Sequence, residues 1–535
     1  MTQKPNILFI LSDEHSFRFT NTLSRAEGGE PVHTPTFDRL AAQSTVFRTA
    51  YCGVPLCTPS RMCLMTGQDA PGCGATSNHG WLDPALDTLP KMLVRAGYET
   101  ALVGKMHFNG SNQFHGFRHR PFGDLTGRAI HQWEHSAWPS GTVDLPQELQ
   151  EGDNPNVSDH LPDRTRHAGE SRLPESLIVD RIVAEETISW LRNYASEESG
   201  QPWFLCASFS RPHFPLTAPR RWIDRYRKTG VTPPFVGKEG DSYDHPVSAA
   251  IRDGFDTNRI DDAETQRARE GYFACVSYLD EILGDMLARL QADGALDNTI
   301  IVYTSDHGEM AGELGTWWKS GWYEACTRVP LMVSTPAQRR GEQPARRIDT
   351  PVSLMDLAPT LATLGGGAPA APVTGRDLSD AIRGDAPVAA RPVVCDHLNS
   401  RWGAGTAFRM IRHGRWKHVQ FEGHPDILFD LEDDPGETRN VIAEAPADIL
   451  TMAQDLAIDW DWVSGGLAEN QKRLREEYPL SAPGATPSQF LIPEGKVVAA
   501  DATIYRPVIL TDDPASFFSD WPVGLPERGG PAKYD

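Results

Sequence analysis

Five short apolar runs recur along this chain, and each gives way to polar residues. Residues 6–11 end in Ser12-Asp13-Glu14, and 100–103 end in Gly104-Lys105-Met106-His107. Residues 203–208 lead to Arg211-Pro212-His213, and 299–304 end in Ser305-Asp306-His307-Gly308. Residues 329–333 complete the series. Unbroken apolar runs of this length read as strands buried on both faces. Helical patterns lie between them, at 34–42, 89–96, about 263–292 and 354–364. Another opens at Pro174, with Leu177, Ile178, Val183, Ile188 and Leu191 as its apolar stripe. The longest carries Tyr272, Val276, Leu279, Leu283, Leu287 and Leu290 near the 3.6 period, and Gly294 suits its end. Strands alternating with helices predict an α/β fold, with a large, mostly parallel sheet flanked by helices. Sheets of this kind place ligands at the carboxyl ends of their strands, where these polar clusters fall.

A chain of 535 residues exceeds what one hydrophobic core normally serves. A large domain at 1–385 and a smaller C-terminal α+β domain at 386–535 are expected. Residues 408–411 and 417–421 read as a hairpin turning at His413-Gly414, with 427–431 as a third strand of a small antiparallel sheet. Residues from about 109 to 170 lack periodicity and read as long loops. From about Ala482 onward the chain is rich in Pro, Gly and Asp and reads as an extended tail. A homo-oligomer is expected, in which such a tail can pass between subunits.

The net charge is −21, from 51 basic and 72 acidic residues. This argues against nucleic-acid binding, which needs basic surface. No apolar run approaches the roughly 20 residues that span a bilayer, so no membrane partner is expected. The run at 6–11 is too short for a signal segment, and a cytoplasmic location is expected. The eight cysteines fit no small disulfide scaffold. Four of them fall between Cys52 and Cys73 without a paired C-x-x-C arrangement, which argues against zinc.

Two of the strand ends carry acidic pairs. Asp13-Glu14 and Asp306-His307 together offer three carboxylates and an imidazole, a donor set for a divalent cation. A cysteine is usually an inert core residue, but Cys57 stands in Cys57-Thr58-Pro59-Ser60-Arg61, followed by Met65-Thr66-Gly67. That pentapeptide resembles the one that type I sulfatases present for oxidation of cysteine to Cα-formylglycine. Gly104-Lys105-Met106-His107, Pro212-His213, Ser305 to Met310 with Lys319, and Leu428 to Glu437 resemble further segments of the same family. The chain thus resembles the sulfatase branch of the alkaline-phosphatase superfamily from about residue 5 to 445. Its motifs are most similar to those of choline sulfatase and its relatives, and phosphonate monoester hydrolases share several. Many sulfatases have Asp-Asp where this chain has Asp13-Glu14, and Asn where it has His307. Choline sulfatases typically carry Gln at the Glu14 position.

The resemblance implies the following roles. Cys57 becomes formylglycine through a maturation enzyme, and its hydrated form attacks sulfur and later releases sulfate. Asp13, Glu14, Asp306, His307 and residue 57 hold one divalent cation, calcium first, with manganese or magnesium as alternatives. Arg61 pairs with the formylglycine group, and Asp306 helps deprotonate it. Lys105 and Lys319 offset charge on the sulfuryl oxygens, His107 assists breakdown of the diol, and His213 serves the leaving oxygen. Asn78 is a further candidate for an oxygen contact. The substrate implied is a small organic sulfate ester. A phosphonate monoester or phosphodiester hydrolase with the same nucleophile, and a non-catalytic binding protein on this scaffold, are the competing readings. Trp133, Trp138, Trp317, Trp318 and Trp322 read as core or rim residues, or as a cage for a quaternary ammonium group.

Overall fold

Among the described residues, eight strands build the central sheet. They are β1 Asn6–Asp13, β2 Thr45–Phe47, β3 Glu99–Gly104, β4 His119–Gly123, β5 Trp203–Pro212, β6 Thr299–Ser305, β7 Leu331–Ser334 and β8 Arg346–Ile348. The structure is a computed structural model that describes residues 4–78, 80–109, 112, 114–123, 163–171, 173–196, 200–477, 489–491 and 497–499. The strand order is β8-β2-β7-β6-β1-β5-β3-β4. All pairs are parallel except those of β7, which opposes both its neighbours. Ile7 to Leu11 of the central β1 are wholly buried, as an unbroken apolar run requires.

Helix Val179–Ser196 packs on β3, β4 and β5 and against the 31-residue helix Asp262–Ala292. Asp261 caps the latter by accepting the Glu264 N–H at 2.7 Å. Helices Cys57–Thr66, Leu89–Arg95 and Leu357–Leu364 pack on one another.

A second, antiparallel sheet runs β9 Val393–His397, β10 Phe408–His413, β11 Trp416–Phe421 and β12 Ile427–Asp430 in sequential order. One hydrophobic cluster, from Ile7 to Leu467, runs through both sheets. Buried Lys417 of β11 joins them, with Nζ 3.1 Å from Glu324 Oε1 and 2.6 Å from Glu437 Oε1.

Several elements depart from the expected pattern. The run at 329–333 divides at Pro330, which has no N–H for a ladder. Arg328–Val329 pairs with Ala50–Tyr51, while Leu331–Ser334 enters the main sheet. The helix expected from Pro174 begins at Val179, after a tight turn at Glu175–Leu177. Strand β5 continues through Pro212, beyond the apolar run at 203–208. Strand β4 and the helical turn Asp163–Arg166 interrupt the expected long loop, and β9 adds a fourth strand to the small sheet. Residues 124–162, with Trp133 and Trp138, and most of the expected tail lie outside the described residues. Within that tail, Gln489–Leu491 pairs with Val497–Ala499. All eight cysteines are buried free thiols. Among the described residues, no helix is long and apolar enough to cross a membrane.

Candidate active site

Four strand ends meet at one place. Asp13 closes β1 and pairs with Pro212 of β5, Ser12 pairs with Ser305 of β6, and Gly104 of β3 pairs with Ser208 of β5. Asp13-Glu14, Lys105-Met106-His107, His213 and Asp306-His307 therefore emerge together at the carboxyl edge of the sheet. Gly104 permits the approach: its φ is +95°, and a Cβ there would fall 1.9 Å from the Ser208 carbonyl oxygen. Glu14 and His107 take left-handed backbone angles, φ 64° and 61°, which non-glycine residues rarely hold outside functional sites. Tyr272 Oη donates to the Glu14 carbonyl at 2.6 Å and secures that turn.

Cys57 opens a ten-residue helix that is buried along its whole length. Asn78 Oδ1 accepts the Thr58 N–H at 3.1 Å, so Asn78 secures the helix start; its amide oxygen is used there. The positive end of the helix then bears on residue 57. Cys57 Sγ lies 3.2 Å from His307 Nε2, 3.2 Å from Lys319 Nζ and 3.8 Å from Asp13 Oδ1, and His107 also hydrogen-bonds it. Burial pushes this thiol up, but Lys105, Lys319 and His307 outweigh it and hold it well below the usual thiol range.

Arg61 sits one helical turn after Cys57, which explains the spacing of the motif. Its Nε donates to Asp306 Oδ2 at 2.8 Å and its Nη2 to Asp13 Oδ2 at 3.1 Å. Its Nη1 donates to the Lys105 carbonyl at 2.6 Å and to Ser208 Oγ at 2.9 Å. Arg61 therefore braces two carboxylates from two strand ends.

Asp13, Cys57, Asp306 and His307 each present a ligand atom within 4.8 Å of the others. His307 Nδ1 faces the Gly308 carbonyl at 2.9 Å, which assigns the proton there and leaves Nε2 for a metal. Glu14 belongs to an adjoining group with Asp13 and His213. Its Oε2 lies 2.9 Å from Lys319 Nζ and 3.2 Å from His213 Nε2, while its buried Oε1 has no hydrogen-bond partner. An unsatisfied buried carboxylate oxygen among further carboxylates fits a divalent cation. Burial and Asp13 hold the Asp306 carboxyl above its usual range. Burial and Cys57 push Asp13 up, but Lys105, His213 and Arg61 prevail and hold it low. Burial disfavours charge on His307, yet Asp306 raises its pKa to about 9.

The cations stand around Cys57. Lys105 Nζ pairs with Asp13 Oδ2. Burial opposes charge on Lys319, but Cys57 and Glu14 hold it firmly protonated. His213 Nδ1 contacts the Phe214 carbonyl at 2.8 Å and Nε2 faces Glu14, so both ring nitrogens meet acceptors. Burial and Lys319 lower its pKa despite Glu14 and Asp13, so a proton held there is readily given up.

Sequence reasoning overlooked Ser208, Tyr272 and Glu309. Ser208 closes an apolar run and carried no signal. Glu309 lay inside the Asp306 motif; it accepts the Ala311 N–H at 2.8 Å and the Trp318 N–H at 2.5 Å, which shapes the loop carrying Lys319. Trp317, Trp318 and Trp322 are buried in the core. A groove of about 750 Å³ lined by Asn6, Trp203 and Asn298 lies at the opposite edge of the sheet, away from all these groups.

The sulfatase family model matches residues 5–367. The chain belongs to the sulfatase family. The C-terminal model of N-sulphoglucosamine sulphohydrolase matches residues 312–457, from the Lys319 loop through the small sheet. This sulfatase is 32% identical to a choline-sulfatase of Rhizobium meliloti (strain 1021) over 487 residues, 89% of this chain and 90% of that one. It is 28% identical to a sulfatase of Formosa agariphila, covering 82% and 83% of the two chains. The solved phosphonate monoester hydrolase of Silicibacter pomeroyi shares its fold, with TM-score 0.69 and 23% identity over 93% of this chain and 99% of that one. This sulfatase is accordingly a sulfuric ester hydrolase.

Proposed function

We propose that this sulfatase hydrolyses a small organic sulfate ester to an alcohol and inorganic sulfate, using a formylglycine made from Cys57. The observation that carries this reading is the position of residue 57. It sits at a helix N-terminus, 3.2 Å from both His307 Nε2 and Lys319 Nζ, with Arg61 bracing the adjacent carboxylates. In the encoded chain, the sulfur stands where the oxidised side chain carries oxygen.

Asp13, Asp306, His307 and residue 57 would hold the cation, with Glu14 beside them. Calcium suits a site in which carboxylates outnumber the single imidazole, and manganese or magnesium are the alternatives. A bound divalent cation supplies Lewis acidity and makes a hydroxyl nucleophilic near neutral pH. Formylglycine supplies an oxygen nucleophile together with a second hydroxyl on the same carbon.

The remaining work falls to the chain's own residues. Arg61 fixes Asp13 and Asp306. Lys105 and Lys319 set positive charge against the sulfuryl oxygens, where it stabilises the transition state most. His107 acts at the residue-57 side chain, and His213 protonates the leaving oxygen. The buried site holds Asp13, Glu14 and Asp306 against Arg61, Lys105 and Lys319. A divalent cation tips this even balance to positive, which suits an anionic ester within a chain of net charge −21.

The test compares kcat/KM for 4-nitrophenyl sulfate and a 4-nitrophenyl phosphonate monoester. Faster turnover of the sulfate, abolished by Cys57→Ala, supports the reading. A preference for the phosphonate overturns it.

A further inference from the structure

A run of packed aromatic rings links His213 to the exposed Arg401, with Phe214, Trp318 and Phe255 buried and Trp402 half-buried. The His213 and Phe214 rings stand 3.9 Å apart. The guanidinium carbon of Arg164 lies 4.0 Å from the Phe214 ring centre and 6.0 Å from that of Trp318. Trp318 packs on Phe255 at 5.2 Å, and Phe255 on Trp402 at 4.4 Å. Arg401 completes the run, 4.6 Å from the Trp402 ring and 5.6 Å from that of Phe255. Contact is therefore unbroken from the leaving-group histidine to Arg401.

Arg401 lies between β9 and β10, and its side chain is exposed to solvent. Partial burial nevertheless lowers its pKa, and the charge of Cys57 opposes that shift. Some arginines elsewhere find carboxylates: Arg95 pairs with Asp87, Arg192 with Asp293, and the half-buried Arg415 with Asp430. Among the described residues no carboxylate pairs with Arg401, in a chain where acids outnumber bases by 72 to 51. The rings limit its motion while its fork of donors stays available, and that fork matches carboxylate and sulfate oxygens.

We propose that Arg401 is a specificity-determining residue that binds a second anionic group on the alcohol portion of the substrate. The proposal rests on the sulfatase reading above. A quaternary ammonium group in that position would meet like charge, so the preferred substrate class is a doubly anionic ester. Choline sulfate, the substrate in the name of the 32%-identical relative, is of the opposite type.

The test is a matched series of phenyl sulfates: unsubstituted, 3-carboxy, 3-sulfooxy and 3-trimethylammonio. The carboxy and sulfooxy arms distinguish a carboxylate from a second sulfate as the preferred anion. The wild-type enzyme should prefer an anionic member over phenyl sulfate, and phenyl sulfate over the cationic member. Arg401→Gln should erase about tenfold of the anionic preference, mainly through KM, and Arg401→Lys should restore part of it. Wild-type preference for the cationic ester, or an equal loss across the series in Arg401→Gln, overturns the role of Arg401 while leaving the sulfatase reading intact. No hydrolysis of any member of the series overturns both.

Discussion

Lys319 Nζ stands 3.2 Å from Cys57 Sγ, and both side chains are buried. A buried ammonium needs compensation, which Glu14 provides at 2.9 Å. The arrangement holds a positive charge beside residue 57, and on the proposed function little reorganisation then remains for the chemical step.

Lys319→Ala should therefore lower kcat by roughly two to three orders of magnitude, the scale for losing one preorganised donor. Lys105→Ala should behave alike, because Lys105 pairs with Asp13 on the same site. Steady-state kinetics on an aryl sulfate would decide. A rise in KM with kcat intact would assign both lysines to ground-state binding.

His213 should matter in proportion to the difficulty of the leaving group. Good leaving groups need little protonation, so His213→Ala should cost least for 4-nitrophenyl sulfate and most for an alkyl sulfate. The slope of log kcat/KM against leaving-group pKa should steepen in the variant. Parallel lines for the two enzymes would make His213 a positioning residue.

Metal uptake should release a proton. In protein with Cys57 unconverted, Asp306 and Cys57 overcome burial and hold His307 up at about 9, and only the neutral imidazole can ligate. Below pH 9 the imidazolium competes with the metal, so affinity should fall about tenfold per pH unit as the pH drops. Calcium titration near pH 7.5 in buffers of different ionisation enthalpy should show close to one proton released. Absence of release would remove His307 from the ligand set.

Asp306→Ala should abolish stoichiometric metal binding, as measured by elemental analysis of the purified protein. Metal content and turnover both at wild-type level would refute the site.

The parts of the fold that were legible in sequence are those where one-dimensional pattern and burial coincide. Strands β1 and β6 are unbroken apolar runs, and the polar residues after them mark the site directly. Strand β4, His119–Gly123, is a short, polar edge strand and offers no such run. Pro330 divided an apolar run between two sheets for want of one N–H, which composition alone does not signal. Within the site, Cys57, Arg61, Lys105, His107, His213, Lys319 and the acidic pairs were legible through their motifs. Ser208 and Tyr272 were not, because their contacts reach across the fold. Glu14, expected among the metal ligands, stands with Asp13 and His213 in a second group that could hold a metal ion, and its Oε2 pairs with Lys319. Asn78, expected at substrate, accepts the Thr58 N–H and so anchors the helix that carries Cys57.

The central claim is that Cys57 is the precursor of the nucleophile. Its conversion is a two-electron oxidation of the β-carbon that expels sulfur and installs oxygen, with the oxidant supplied through a separate maturation enzyme. The most direct measurement is the mass of the peptide containing Cys57, taken from preparations made with and without that enzyme and set against turnover of an aryl sulfate. The account predicts a peptide lighter by about 18 Da, the difference between thiol and aldehyde, and activity proportional to the converted fraction. Full activity in protein whose Cys57 is entirely unmodified would contradict it.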